Sequence, residues 1–209
     1  MDVHRNNTKL IVFNKVIQSV EQGSGLVLPK RDSDSRKTVL KTMRIPNYIN
    51  SLLEKDADSK GVSVNALISM IMTKYAEWDR YAERFGSITI KLQAFREMLE
   101  EIDEDKLADI ARRSGSRFPK EFVLFRFKRA NLDTYLEALK LMCKYKGYAR
   151  YELENDESGY TVILVHDLGE KWSNFLRHVV EGGMRSTTGI VPKFEVNPDS
   201  LIVRFTSRE

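Results

Sequence analysis

The chain has 209 residues, 31% of them charged and 42% hydrophobic, the proportions of a water-compatible chain able to bury a core. Apolar runs end within four residues, as at Val162-Ile163-Leu164-Val165, which excludes a hydrophobic membrane-spanning helix; the polar start MDVHRNNTKL lacks the apolar centre of a secretory leader. One cysteine, Cys143, excludes an intrachain disulfide and a multi-cysteine zinc site, so the expectation is a cytoplasmic protein without metal or other cofactor.

Charge is unevenly placed. Residues 1–86 hold 14 Lys+Arg against 10 Asp+Glu, whereas residues 87–209 hold 20 of each. Residues 1–36 read as a basic arm or linker, broken by Gly23-Ser24-Gly25 and Pro29. Basic arms attract polyanions, which points toward nucleic acid as a partner.

Residues 37–86 form the next block. Lys37 to Ile45 is a strand-length run stopped by Pro46, which cannot continue a ladder. Asn47 is a helix-cap candidate, followed by apolar Ile49, Leu52 and Leu53, and Gly61 is a helix-stop residue. Ser63 caps a second helix carrying Val64, Leu67, Ile68, Ile71, Met72, Tyr75 and Trp78 at three- and four-residue steps, closed by Gly86.

Residues 87–118 read as a helical connector with Phe95, Leu99, Ile102, Leu107 and Ile110, Asp103 as a cap, and a boundary at Arg112-Arg113-Ser114-Gly115-Ser116. From 119 to 209 the expected order is strand (Phe122–Phe127), helix from Asn131 to Gly147, a hairpin of Tyr148–Glu154 and Tyr160–Val165, a helix from Gly169 or Glu170 to about Met184, and a final pair, Phe194–Val196 and Leu201–Phe205. That β-α-β-β-α-β series predicts a ferredoxin-like domain for assembly or sensing. The fold class is therefore α+β.

One strand and two short helices cannot enclose their own apolar residues, but pairing the strand with that of a second chain solves the problem. On Leu40-Lys41-Thr42-Met43-Arg44-Ile45-Pro46 and Gly61-Val62-Ser63-Val64-Asn65, residues 37–86 resemble the ribbon-helix-helix domain of Arc- and MetJ-type repressors, which place a two-stranded ribbon in the major groove. The resemblance implies a homodimeric, sequence-specific transcription regulator, possible as a tetramer, with double-stranded DNA as its partner. It assigns base reading to Leu40, Thr42 and Arg44, and phosphate contact to Arg36, Lys37, Lys41 and the first-turn backbone of Ser63, Val64 and Asn65. It also implies a dimer core of Met43, Ile45, Leu67, Ile68 and Ile71. The runs Tyr75–Gly86 and His166–Leu176 look like those of archaeal two-domain regulators with the same N-terminal module. A second reading keeps the ribbon only as a dimerisation device in an antitoxin-like or adaptor protein.

Other chemistries find little footing. His4, His166, His178 and Cys143 do not match the metal-site spacing of nickel-responsive regulators. The acidic run from Glu97 to Asp105 reads as a solvated helix face, and His166-Asp167 lacks the elbow of a nucleophilic serine, so no enzyme is expected.

Overall fold

The computed structural model describes residues 38–157 and 159–206. The chain divides between Lys41 and Thr42. Of the first part, residues 38–41 are described; they are exposed and without regular structure. Arg36 and Lys37 lie outside the described residues, as does the predicted basic arm.

In the second part Pro46, with φ −55°, precedes helix α1 (Asn47–Lys60). A proline suits this place because its missing N–H would have no helical partner. Pro46 thus occupies the cap position that the sequence assigns to Asn47. The helix stops at Gly61, whose φ of 64° is left-handed, and the Gly61 and Val62 N–H groups donate to Asp58 and Ala57 carbonyls. Helix α2 (Val64–Lys74) starts at once. The Ala66 N–H donates to Ser63 Oγ at 3.1 Å, as the predicted cap requires. It continues through a wide π-helical turn (Tyr75–Asp79) and a short tail to Phe85, and Gly86 ends it.

Helix α3 (Leu92–Glu101) follows, then Asp103, whose carboxylate accepts the N–H groups of Asp105 and Lys106 to open α4 (Glu104–Phe127). This single 24-residue helix overturns two expectations. The boundary at 112–116 does not exist, and Phe122–Phe127 is helix, not strand. Every fourth residue explains why: Leu107, Ala111, Gly115, Pro119 and Val123 are all buried, a continuous inward stripe. Gly115 serves close packing and does not end the helix. A Cβ there would lie 2.7 Å from the Val179 Cα and carbonyl oxygen on the facing helix.

Helix α5 (Leu132–Lys146) opens on a reciprocal cap. The Thr134 N–H donates to Asn131 Oδ1 at 3.0 Å, and the Asn131 N–H donates back to Thr134 Oγ1 at 3.1 Å. Gly147 ends the helix as predicted. Strands β1 (Arg150–Asp156) and β2 (Gly159–Val165) form the hairpin, α6 (Glu170–Thr188) crosses over, and β3 (Lys193–Asn197) and β4 (Ser200–Phe205) form the second pair. All neighbours in the sheet are antiparallel, in the order β1-β2-β4-β3.

The α+β class holds. The ferredoxin-like order does not form, because its first strand is the end of α4; from α4 onward the order is α-α-β-β-α-β-β. Register places Tyr151 opposite Leu164 and Val162 opposite Val203, so alternate residues of each strand share one face. That face packs with Tyr135, Leu139, Trp172, Leu176, Val180 and Met184 in the main core. Burial there pushes the Cys143 thiol up to about 12, which makes it an inert packing group. A second core joins Trp78 to Phe122, Val123, Ala138, Leu141 and Met142. The tail of α2 is therefore part of the body.

Candidate nucleic-acid interface

The site begins with a segment that has no ladder. Residues 42–46 form no strand among the described residues, and Thr42, Met43 and Arg44 are all exposed. Ile45 is half-buried. The strand predicted over residues 37–45 is thus not formed among the described residues: a ladder needs hydrogen-bond partners from a neighbouring strand, and alternation of inward and outward residues needs such a neighbour to define it. Leu40 and Lys41, the other predicted contacts described, are exposed.

Several large apolar side chains of this segment and of the two helices that follow are exposed. Met43 is 51% exposed, Leu52 57%, Ile71 51% and Tyr75 62%, and Tyr48, Met70 and Met72 are exposed too. Tyr48 and Leu52 stand four residues apart on α1, and Ile71 and Tyr75 four apart along the second helix, so each pair shares a face. Of the five residues predicted for a dimer core, Leu67 is already buried by its own chain, Ile45 and Ile68 are half-buried, and Met43 and Ile71 are open. Tyr48, Leu52 and Tyr75 add to this exposed set; their four-residue spacing was the available sequence clue.

At the start of α2, Ser63 Oγ accepts the Ala66 N–H. The Val64 and Asn65 N–H groups belong to the first turn, where a helix offers its own donors no acceptor. Ser63 and Asn65 are exposed and Val64 half-buried. Their backbone N–H groups are those to which the sequence assigns phosphate contact. The helix dipole favours an anion there.

The tail of α2 is clasped to the body. Glu77 Oε2 accepts the Tyr145 O–H at 2.5 Å and pairs with the Lys144 ammonium at 3.1 Å. Trp78 sits beside Phe122 and Tyr145 at ring distances of 5.5 and 6.1 Å. Helical spacing places Trp78 on an inward face, but nothing local to it names the partners, which come from α4 and α5.

The two histidines among the described residues, His166 and His178, each have a close polar neighbour. His166 Nδ1 accepts the Leu168 N–H at 3.3 Å, and its Nε2 lies 2.9 Å from Ser173 Oγ. An accepting Nδ1 assigns the proton to Nε2, which donates to Ser173 Oγ; the Ser173 hydroxyl donates onward to the Asn197 carbonyl at 2.5 Å. His178 Nε2 lies 3.1 Å from an Arg177 guanidinium nitrogen. No group of three or more His, Cys, Asp or Glu side chains converges as a metal site among the described residues.

Burial holds His166 below the ordinary imidazole range, against the upward pull of Asp199 and Asp167. The unfolded chain therefore takes up a proton at this residue before the folded one does. The resulting stability is complete above about pH 6.5 and is lost as pH falls toward the depressed folded value. The urea midpoint of the full chain is expected to drop on acidification through this window, and His166→Gln to flatten the slope. An unchanged slope in that variant would assign the acid sensitivity to other groups.

Two shallow recesses adjoin the start of α6, and their cationic side chains are engaged within the chain. Lys171 donates to the Glu100 and Ile102 carbonyls at 2.7 and 3.0 Å, and Arg96 pairs with Asp167 at 2.8 Å. Among the described residues no helix is long and apolar enough to cross a membrane. In comparisons with known proteins, no family model matches the chain and no curated protein matches it.

Proposed function

We propose that the chain is a homodimeric, sequence-specific DNA-binding regulator of the ribbon-helix-helix kind. In this reading, residues 38–45 of two copies pair as an antiparallel ribbon and enter the major groove. The observation that carries it is the exposed apolar set of Leu52, Ile71 and Tyr75 on the two helices and of Met43 in the proline-ended segment before them, which has no strand partner among the described residues. A second copy would supply hydrogen-bond partners to the segment and cover those side chains together. Gly61 and the Ser63 cap fit the same module.

Arg44 and Thr42 then offer side chains to base edges, Leu40 an apolar contact to a thymine methyl, and the first turn of α2 its N–H groups to a phosphate. The sheet-bearing body serves assembly or the sensing of a signal.

The test uses the full chain. Sedimentation at micromolar concentration is expected to give a dimer, and Met43→Asp to give a folded monomer, because a charge would be buried without a partner in the shared core. Arg44→Ala should cost about 1–3 kcal/mol on the preferred duplex and little on a scrambled one. Equal losses on both duplexes would reduce Arg44 to a phosphate contact. A dimer that binds no duplex at any salt concentration would favour the protein-interaction module.

A further inference from the structure

Folding gathers cations from both parts of the sequence into a local concentration of charge. Where the tail of α2 meets the end of α4, two rings carry four cations. Arg80 and Arg126 lie over Tyr81 at 4.8 and 4.6 Å from its centre, and Arg84 and Lys128 over Phe125 at 5.5 and 5.1 Å. The two rings meet edge-on at 5.8 Å, and Phe85 backs Phe125 at 5.4 Å. Arg80, Arg84 and Lys128 are exposed, so the charges face water.

None of the four forms an ion pair among the described residues. The carboxylates on the same tail are either engaged elsewhere, Asp79 with Lys74 at 3.2 Å and Glu77 with Lys144, or, as with Glu83, not paired to them. Arg126 Nε is buried and has no hydrogen-bond partner among the described residues. Like charges gathered this way repel one another, and an attraction to ring faces supports each cation without cancelling its charge.

Lys128 adds a second, independent oddity. It ends α4 in the left-handed conformation, φ 59°, and is the one non-glycine among the described residues with positive φ. The other left-handed helix ends, Gly61, Gly86, Gly147 and Gly189, are all glycine. A lysine tolerated in that conformation keeps an ammonium where glycine would hold the same turn with less strain.

We infer that Arg80, Arg84, Arg126 and Lys128 form a second, sequence-independent site for the phosphodiester backbone of a nucleic acid, outside the proposed ribbon. What the cluster offers is charge and guanidinium N–H groups, which suit phosphate oxygens. Such a contact adds affinity without reading sequence. It would act whether or not residues 38–45 enter a groove.

The experiment measures binding of the full chain to a labelled duplex of scrambled sequence across a salt series. For the double variant Arg84→Gln/Lys128→Gly, affinity is expected to fall about tenfold, and the slope of log K against log salt to shrink by about 1.8, for two lost phosphate contacts. Lys128→Gly alone should raise the melting temperature while weakening binding, a pairing that loss of fold cannot produce. Unchanged affinity and slope would overturn the site. Polyglutamate displacing the duplex as well as unlabelled DNA of equal charge would overturn it too, by assigning the node to an acidic protein segment. Arg44→Ala separates the two readings: it should leave scrambled-duplex binding intact, whereas the node variant weakens cognate and scrambled duplexes alike.

Discussion

Trp78→Ala is expected to lower the unfolding free energy of the full chain by about 3–5 kcal/mol, the usual cost of removing a fully packed tryptophan. The side chain is 4% exposed and stands at the centre of the smaller core, among Phe122, Val123, Ala138, Leu141 and Met142. Beyond its ring contacts to Phe122 and Tyr145, it lies under the Lys146 ammonium at 5.7 Å. Deletion would leave a cavity bounded by three elements, and the fixed backbone of α4 and α5 limits collapse into it. Trp78→Phe keeps most of the contact area and should cost clearly less. Urea unfolding followed by circular dichroism measures both; a loss below about 1 kcal/mol for the alanine variant would mean that the tail of α2 does not pack here.

Gly115→Ala should be destabilising by about 2 kcal/mol despite alanine's better helix propensity. In an open helix interior the exchange would gain up to about 1 kcal/mol. Here the new methyl would stand 2.7 Å from the Val179 Cα and carbonyl oxygen and 2.9 Å from the His178 carbonyl. These are backbone atoms and cannot rotate aside, so α4 and α6 must separate, which loses contact along both buried stripes. Gly182 meets the same crossing from the other side, where a Cβ would lie 2.8 Å from the Ser116 nitrogen and the Gly115 carbonyl carbon. The two alanine variants should accordingly be less than additive, since either one alone opens the contact. A Gly115→Ala protein as stable as the parent would show that the helices do not approach this closely.

Local chemistry made much of this fold legible. The Asn131 cap, the Gly147 stop, the hairpin around residue 157 and the Gly61-Val62-Ser63 turn each depend on a few adjacent residues, and each stands where the sequence predicts it. The run Phe122–Phe127 misleads because its β-branched and aromatic residues favour strands, whereas its environment is set by the stripe through Leu107, Ala111, Gly115, Pro119 and Val123. Two of those five are glycine and proline, which hydrophobic periodicity does not count and which ordinarily end helices. Gly115 is used for close approach, and Pro119 packs against Gly183, whose added Cβ would lie 3.0 Å from the proline ring. That information resides in α6, not in α4.

The candidate interface divides the same way. The proline stop, the glycine turn and the serine cap are local, and so could be read. The rings beneath Arg80, Arg84, Arg126 and Lys128 are brought together only when the tail of α2 docks on α4, so no single stretch of sequence displays that cluster.

Among the described residues the antiparallel sheet ends in two edge strands, β1 and β3, and each carries its own deterrent to sharing. On β1 the exposed positions are Arg150, Glu152, Glu154, Asn155 and Asp156, and on β3 they are Lys193 and Glu195. A foreign strand aligning with either edge would have to accommodate alternating charges beside its own backbone, and like charges in adjacent copies would meet. Charge along these edges therefore disfavours edge-to-edge pairing of copies of the sheet.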